Sequence, residues 1–381
     1  MLVRKPSSLR SLAPLLVLAL PACFGSTTRG AQMNLSSGLP ASASVLAGAA
    51  EANCRTPTLS RTTTVQPTVS WVFANDPSDR IHLDRWCAGV GPAVSASPFD
   101  STFSIAKASS LVVVTWNVHI GSGDIPGLVR DLKAGKFTDG KPVEHFVLML
   151  QEVYRSGADV PVAVGAAAPR SLHTVAHAAS RRIDIVETAD KLGLDLFYVP
   201  SMSNGRPASA EHAEDRGNAI LSSLPLREHT AIELPFEAQR RVVAAATVSG
   251  TTIEGKSWSL RVVNVHLDNK SRRSGFLQSL GGGRTRQARA LVEVIGTELP
   301  CVVGGDLNTW ALGFMEGALS VLEKHFPLPA KHPTEPTFAM AGLRLDRLMY
   351  RLPDGHKAET RRLDDRRGSD HHPLIGTVEF E

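Results

Sequence analysis

Polar side chains that could perform acid–base or metal chemistry border short apolar runs along the C-terminal two thirds of the sequence. They are Asn117 after "VVVTW", Glu152 after "FVLMLQ", His266 after "LRVVNV", Asp306 and Asn308 after "CVVGG", Asp346 after "LRL", and Asp370 with His371 before "PLIGTVEF". A folded sheet keeps such groups out of its core, so we expect them along one edge, where loops form a site. Each position alone is typical of an ordinary turn residue, so the prediction depends on the ordered set.

The donor atoms of this set are mainly carboxylate and amide oxygens, joined by two imidazoles. The sequence has neither clustered cysteines nor an HExxH spacing. Oxygen-rich sites suit Mg²⁺, Mn²⁺ or Ca²⁺. A site with few protein ligands also leaves room for water and a phosphate oxygen, so the set predicts metal-assisted hydrolysis of a phosphate ester.

The elements that must position these groups begin at Leu111. From there, short runs rich in Val, Ile and Leu alternate with amphipathic stretches, such as those between Ile183 and Leu192 and between Leu291 and Leu299. The short runs are too brief for helices and favour strands, whereas the stretches favour helices. The pattern predicts an α/β protein with a mixed sheet and helices outside it.

Read in order, several motifs resemble the series found in the endonuclease/exonuclease/phosphatase superfamily. They are "TWNVHIG", "LMLQEVYR", "RGNAILSS", "VVNVHLD", "VVGGDLNTW", "LRLDRLMY" and "GSDHHPLIG", and they lie within the range from Leu111 to Glu381. The resemblance implies a two-sheet α/β sandwich with outer helices, the deoxyribonuclease-I-like fold. It also implies a phosphoester hydrolase, because an ordered series is far more specific than any single motif.

The resemblance also implies a role for each matching residue. The metal would lie at Glu152, Asn117 and Asp370. The scissile phosphate would be surrounded by Asn218, His266, Asp306 and Asn308, of which Asp306 and Asn308 position the nucleophile. Asp346 would orient the catalytic His371.

Two adjacent histidines follow Asp370, and the resemblance makes His371 the general base, which must be a neutral imidazole near pH 7. Neighbouring side chains in an extended chain point to opposite faces, so His372 should face away from the partners of His371. Two further residues, His119 and Arg216, could contact a substrate phosphate or could have a structural role.

The N-terminus resembles an export signal. A basic stretch precedes the apolar "SLAPLLVLAL" and then "LPAC", which predicts a signal peptide over residues 1–22. The last four residues resemble a lipobox, which would make Cys23 a lipidated residue and the membrane a partner. Pro21 is atypical there, so ordinary cleavage nearby stays open. In either case we expect an exported protein, either a cell-envelope lipoprotein or a secreted or periplasmic one.

The region after the signal divides into three parts. Residues 23–68 are rich in Ser, Thr, Ala and Gly and predict a flexible tether, residues 69–110 predict a small extension or subdomain, and residues 111–381 predict the catalytic domain. Because export exposes the chain to an oxidising compartment, we predict a Cys54–Cys87 disulfide, whereas Cys301 lies in an apolar run and should be free and buried.

These observations together predict an exported, divalent-metal-dependent phosphodiesterase that hydrolyses nucleic acid or phospholipid. The alternatives are a phosphomonoesterase of the same superfamily and a lipoprotein that keeps the fold only for binding. A calcineurin-like phosphatase is disfavoured because this sequence lacks the Gly-Asn-His block that such an enzyme needs. A nucleic-acid-binding module is disfavoured because the net charge of +4 arises entirely before Leu111. No protein partner is indicated.

Overall fold

The computed structural model describes residues 43–46, 69–74, 76–99, 106–161, 182–205, 212–270, 281–297, 300–310, 316–329 and 331–381. The predicted signal peptide, Cys23, Cys54 and nearly all of the predicted tether lie outside these residues.

Within the described residues, fourteen strands form two seven-stranded sheets. In spatial order, the first sheet contains β1 (Ala43–Leu46), β2 (Ser70–Ala74), β8 (Arg227–Glu233), β9 (Val242–Thr251), β10 (Ser257–His266), β11 (Cys301–Asp306) and β12 (Asp346–Arg351). The second sheet contains β13 (Lys357–Arg362), β14 (Leu374–Glu379), β4 (Ser110–Asn117), β5 (Phe146–Ser156), β7 (Glu214–Ser222), β6 (Asp195–Gly205) and β3 (Val94–Ala96). Parallel pairing joins β4 to β5, β10 to β11 and β2 to β8, so both sheets are mixed.

Alternating side chains create three hydrophobic layers. In β4, Val113 faces the other sheet and packs in the same cluster as Val302 of β11. The outward-facing Val114 of β4 packs in a second cluster with Leu128 of a helix that covers the second sheet. In a third cluster, Val303 of β11 packs with Leu291 of a helix that covers the outer face of the first sheet. This period-two alternation buries both faces of each sheet. The result is a two-sheet α/β sandwich with outer helices, which confirms the fold predicted from the sequence.

The helices are α1 (Pro77–Cys87), α2 (Ile125–Lys133), α3 (Ile185–Leu192), α4 (Gly282–Ile295) and α5 (Gly317–His325). Asp184 caps α3 by accepting hydrogen bonds from the backbone of Val186 and Glu187. The helical pattern predicted between residues 183 and 192 agrees with α3. The pattern predicted from Leu291 onward is displaced, because α4 begins nine residues earlier and ends before Gly296, whose φ is 66°.

Strands β2 and β3, which lie within the predicted extension or subdomain at residues 69–110, are part of the sandwich. Trp71 of β2 pairs with Ala231 of β8, and Val94 of β3 pairs with Tyr198 of β6, so this segment extends both sheets. The backbone N–H of Gly91 also donates to the buried Asp215 carboxylate at 2.8 Å.

Cys301 is buried and free, as predicted. Cys87 is disulfide-bonded, and its predicted partner Cys54 lies outside the described residues. Among the described helices, none is both long and apolar enough to cross a bilayer.

Candidate active site

The candidate site lies where two of the three parallel strand pairs, β4–β5 and β10–β11, end. Asn117, the last residue of β4, pairs with Gln151 of β5. In the other sheet His266 ends β10 and pairs with Asp306 at the end of β11, which in turn pairs with Asp346 at the start of β12. The carboxyl ends of parallel strands meet at one edge, so residues far apart in sequence converge there.

Two glycines before Asp306 allow this close packing. A Cβ on Gly304 would lie 2.6 Å from the Met149 side chain of the facing sheet, and one on Gly305 would lie 1.7 Å from the Val265 carbonyl oxygen of the neighbouring strand. Larger residues would push the sheets and strands apart. The "GG" of "VVGGD" therefore has a direct role in positioning Asp306.

Asp306 is at the centre of the site and is buried. Its Oδ2 atom accepts a hydrogen bond from Asn117 Nδ2 at 3.1 Å and lies 3.5 Å from His266 Nε2 and 3.8 Å from His371 Nε2. Its other oxygen accepts the Asn308 backbone N–H at 2.9 Å. Four of the predicted site residues therefore surround one carboxylate.

His371 is held on its other side by Asp346. The Nδ1 atom of His371 lies 2.8 Å from Asp346 Oδ2, and both side chains are buried. A carboxylate accepts, so Nδ1 carries the proton. The Trp116 indole donates to the His371 carbonyl, and the Phe338 ring packs against the imidazole with centroids 4.9 Å apart. These contacts leave Nε2 facing Asp306.

Carboxylates around the ring favour its charged form. Burial lowers the pKa of His371, but the charge of Asp346, its hydrogen bond to the ring, and the charges of Asp306 and Asp370 together outweigh burial and raise the pKa to about 10. Burial also raises the pKa of Asp306, which the charge of His371 offsets in part. The proposed role of general base requires a neutral ring near pH 7, whereas these carboxylates alone favour an imidazolium.

His266 has a different environment. Its Nδ1 atom lies 3.1 Å from the Nη1 atom of Arg241, where His371 has a carboxylate. Burial and the positive charge of Arg241 hold the pKa of His266 well below its usual range. His266 is therefore the neutral imidazole of the site.

The remaining acidic groups could hold a metal. Glu152 is half-buried at a bulge where the β5–β7 register shifts, with a φ of 55°. Its carboxylate makes no hydrogen bond to a described residue. Asp370 has one oxygen 2.9 Å from His119 Nδ1, while its other oxygen is buried without a hydrogen-bond partner. Oxygen atoms left free in this way fit a divalent cation.

A second trio also brings ligand atoms together. One atom each of Asp306, Asp346 and His371 lies within 4.8 Å of the others, which makes the trio a candidate metal site by distance alone. A cation bound to all three would either occupy the Nε2 lone pair of His371 or replace the hydrogen bond between its Nδ1 atom and Asp346.

The model of the Endonuclease/Exonuclease/phosphatase family matches residues 114–371. The chain belongs to this family. Its members are phosphoester hydrolases, and the chain is a hydrolase of this class. No curated protein sequence matches the chain.

Several solved structures are similar in fold. One is an endonuclease/exonuclease/phosphatase from Beutenbergia cavernae DSM 12333, with 19% identity, a TM-score of 0.47, and coverage of 71% of this chain and 72% of that chain. Another is sphingomyelinase C from Streptomyces griseocarneus, with 17% identity, a TM-score of 0.38, and coverage of 71% and 99%. A third is a 3′ phosphatase from Neisseria bound to a product DNA hairpin, with 17% identity, a TM-score of 0.41, and coverage of 71% and 99%.

Not every predicted residue of this family member joins the cluster around Asp306. Asn218 is buried and donates to the Val242 carbonyl oxygen at 2.8 Å, so its amide group bridges the two sheets. The guanidinium of Arg216 is buried and contacts the Met202 sulfur at 3.1 Å. Both lie beside the site, and their predicted contacts with phosphate stay predictions.

His119 and His372 also lie at the margin of the cluster. His119 is half-exposed, and its ring contacts Asp370. His372 donates from Nδ1 to the Leu363 carbonyl oxygen at 2.9 Å, on the side away from Asp346 and Asp306. This orientation agrees with the one predicted from extended-chain geometry.

Several residues that were not predicted from the sequence support the site from behind. Arg241 contacts His266, and Thr337 Oγ1 accepts the Asp346 backbone N–H at 3.0 Å. Gln151 donates to Asn264 at 2.7 Å and thereby joins the two sheets beneath the site. Gln151 and Asn264 lie inside the quoted motifs "LMLQEVYR" and "VVNVHLD", so the sequence contained a signal for them. No local feature of the sequence distinguishes Arg241 from other arginines.

Proposed function

We propose that this hydrolase is an exported, divalent-metal-dependent phosphodiesterase that cleaves nucleic acid or phospholipid by direct attack of water. The observation that carries the proposal is the buried Asp346–His371 pair, whose free Nε2 faces Asp306. It lies beside Asp370, which has a carboxylate oxygen without a hydrogen-bond partner. This arrangement supports a base, a positioned nucleophile and a metal within one site.

His371 is the general base of the proposed reaction. Because Asp346 holds the proton on Nδ1, the Nε2 lone pair of the neutral ring is directed toward Asp306, where the attacking water would be positioned. Asp346 also stabilises the imidazolium that forms when the ring takes a proton. General base catalysis of this kind contributes about 10²- to 10⁴-fold.

Glu152, Asn117 and Asp370 would hold Mg²⁺, with Mn²⁺ or Ca²⁺ as alternatives. When bound, the cation would stabilise negative charge on the phosphoryl oxygens and oppose positive charge on His371, which favours the neutral ring that a base requires. We prefer these ligands to the trio of Asp306, Asp346 and His371, because they leave both the Nε2 lone pair of His371 and its 2.8 Å hydrogen bond to Asp346 intact.

Asp306, Asn308 and His266 would bind the water and the phosphoryl group. The Asn308 amide donates to the Leu267 carbonyl oxygen at 3.0 Å, and its backbone φ of 51° is in the left-handed region. An unusual backbone conformation that persists at a site is typical of residues that orient a ligand. We expect His119 and Arg216 to contribute to the margin of this pocket.

Export is proposed from the N-terminal sequence, with Cys23 as a membrane anchor. An exported hydrolase would meet extracellular nucleic acid or phospholipid rather than chromosomal DNA. The balanced charge of the chain after Leu111 does not favour one polyanion over the other.

The test is a comparison of bis(p-nitrophenyl) phosphate with p-nitrophenyl phosphate, each with Mg²⁺ and with EDTA, followed by DNA, RNA and phospholipid vesicles. Diester hydrolysis that requires Mg²⁺ and is lost in His371→Ala supports the proposal. Hydrolysis of the monoester alone would identify a phosphomonoesterase. Binding of a substrate without turnover would identify a non-catalytic binding lipoprotein.

A further inference from the structure

Arg241 is buried immediately before strand β9 and contacts a catalytic-site histidine. Its Nη1 atom lies 3.1 Å from His266 Nδ1. An arginine guanidinium has five N–H donors and no acceptor, so His266 Nδ1 must accept this hydrogen bond. A protonated Nδ1 would direct two donors at each other in a buried site. The contact therefore places the single ring proton of His266 on Nε2.

The Nε2 atom of His266 points into the site. It lies 3.5 Å from Asp306 Oδ2, the same oxygen that His371 Nε2 approaches to 3.8 Å. His371 has an acceptor, Asp346, behind its ring, whereas His266 has a donor, Arg241. The two rings therefore present opposite groups to one carboxylate: His371 presents a lone pair when neutral, and His266 presents an N–H.

We propose that Arg241 is a positioning residue that fixes His266 as a neutral Nε2–H tautomer, so that His266 donates a hydrogen bond to a phosphoryl oxygen of the substrate. This inference rests on the proposed phosphoesterase function. His266 then differs from a general acid, because loss of its only proton would leave an imidazolate. Its contribution is to stabilise charge that develops on the phosphoryl group.

The structure holds Arg241 in place from both sides along the chain. Asp268 accepts hydrogen bonds from the backbone N–H groups of Ala238 and Gln239, each at 2.8 Å, and so fixes the loop that leads into Arg241. On the other side, Asn218 donates to the Val242 carbonyl oxygen at 2.8 Å. A residue whose flanking backbone is fixed in this way can select one tautomer of its partner.

Arg240, the residue before Arg241, is also buried. Its contacts show that burial of an arginine in this segment does not by itself imply that it positions a histidine. Its guanidinium forms an ion pair with Glu233 at 2.5 Å and donates to the backbone carbonyl oxygen of Pro200 at 2.8 Å. Arg241 has no hydrogen bond to a carboxylate among the described residues, and its Nε is buried without a hydrogen-bond partner.

The first experiment reads the tautomer directly and needs no activity. The full-length protein is labelled with ¹⁵N-histidine, and a long-range ¹H–¹⁵N spectrum is recorded at pH 7.5, with the His266 signals assigned by their loss in His266→Ala. We expect an unprotonated Nδ1 and a protonated Nε2. A protonated Nδ1 on His266 would overturn the proposal, whether or not the protein proves to be a phosphodiesterase.

The second experiment is a double-mutant cycle on hydrolysis of bis(p-nitrophenyl) phosphate. Arg241→Met removes the donor and should lower kcat/KM by about 10- to 100-fold, whereas Arg241→Lys, which keeps a donor, should recover part of the loss. In the His266→Ala background, Arg241→Met should cost almost nothing, because Arg241 acts through His266. An undiminished cost in that background would overturn the proposal and indicate direct phosphate binding or a purely structural role.

A matched control is Arg261→Met, in the middle of strand β10 and five residues before His266. Its guanidinium contacts the Glu228 carbonyl oxygen at 2.7 Å and has no contact with His266. It tests the loss of a largely buried guanidinium, and it should leave both the His266 tautomer and kcat/KM close to wild type. If Arg241→Met fails to fold, the spectrum of the wild type and the Arg241→Lys kinetics still decide the question.

Discussion

The Nδ1 atom of His371 donates to Asp346 Oδ2 at 2.8 Å, and this contact joins the last motif of the sequence to the start of strand β12. Asp346 is itself fixed, because Thr337 Oγ1 accepts its backbone N–H at 3.0 Å. The other carboxylate oxygen of Asp346 is buried without a partner. A charge held in this way at a fixed distance orients the ring of His371 and stabilises its protonated form.

The adjacent histidines should differ sharply in their effect on activity. We expect His371→Ala to lower kcat on a diester by about 10³-fold, because the base is lost. His372→Ala should lower it far less, since its ring hydrogen bond is to the Leu363 carbonyl oxygen and not to Asp346 or Asp306. Stopped assays at equal folded fraction, checked by circular dichroism, make the comparison. A larger loss in His372→Ala would mean that the base has been assigned to the wrong residue.

Asp346→Asn should approach the effect of His371→Ala. The amide keeps the shape but removes the charge that favours the imidazolium, and its NH₂ group can turn toward the ring and favour the wrong tautomer. The double variant should be scarcely slower than either single variant, because residues that act as one unit are not additive. Additive losses in kcat would show that Asp346 acts independently of His371.

Glu152→Gln should weaken activation by divalent metal. The substitution removes the half-buried charged oxygen while it keeps the size of the side chain. We expect a higher Mg²⁺ concentration for half-maximal activity and a lower kcat at saturation. Glu187→Gln removes an equal charge from the exposed face of α3, where it pairs with Lys191, and is the matched control. An identical Mg²⁺ titration for Glu152→Gln and wild type would exclude Glu152 as a ligand.

Much of the site could be predicted because its residues end or begin strands. The position of Asp306 after "VVGG" and of His266 after "VVNV" is visible in the sequence, and parallel pairing of β10 with β11 brings these two residues side by side. The motif order also indicated the partner of His371. The residues of a motif and the end of its strand are determined locally, so both can be predicted from the sequence.

Contacts between distant segments could not be predicted in the same way. Arg241 reaches His266 because β9 pairs with β10 in antiparallel register, with Ala244 opposite Asn264. No local feature of the sequence distinguishes Arg241 from Arg240, whose guanidinium forms an ion pair with Glu233. The incorporation of residues 69–99 into both sheets has the same origin, because β2 pairs with β8 across a long stretch of chain. The choice of partner strand is a tertiary property.

Cys23→Ser should move the protein out of the membrane fraction if Cys23 is lipidated. Acyl chains anchor a protein by burying apolar surface in the bilayer, and serine cannot carry the same lipid modification. Fractionation of cells that express each form, with immunoblotting, makes the measurement. Identical fractionation of the two forms would leave only an ordinary secretory signal, and the proposed phosphoesterase activity would be unaffected.

The stability of the fold should depend on pH through His229, which lies in strand β8 away from the site. Its ring packs against Phe197 with centroids 4.8 Å apart, and its Nε2 atom is buried without a hydrogen-bond partner. Burial, with a smaller effect of the positive charge of Arg261, lowers the pKa of His229 from 6.5 to about 4. Between these values the unfolded chain binds a proton that the folded chain does not, so the free energy of unfolding should fall as pH falls through this range.

The His229 contribution to stability is therefore complete above pH 6.5 and is lost progressively as pH falls toward about 4, with a total of about 3 kcal/mol. His229→Phe keeps an aromatic ring against Phe197 and removes the titrating group, so it should flatten this part of the pH dependence. Urea denaturation at a series of pH values between 4 and 8 gives the free energies of unfolding. His212→Phe, at an exposed position, should parallel wild type. A His229→Phe curve that also parallels wild type would show that this histidine is not the source of acid sensitivity.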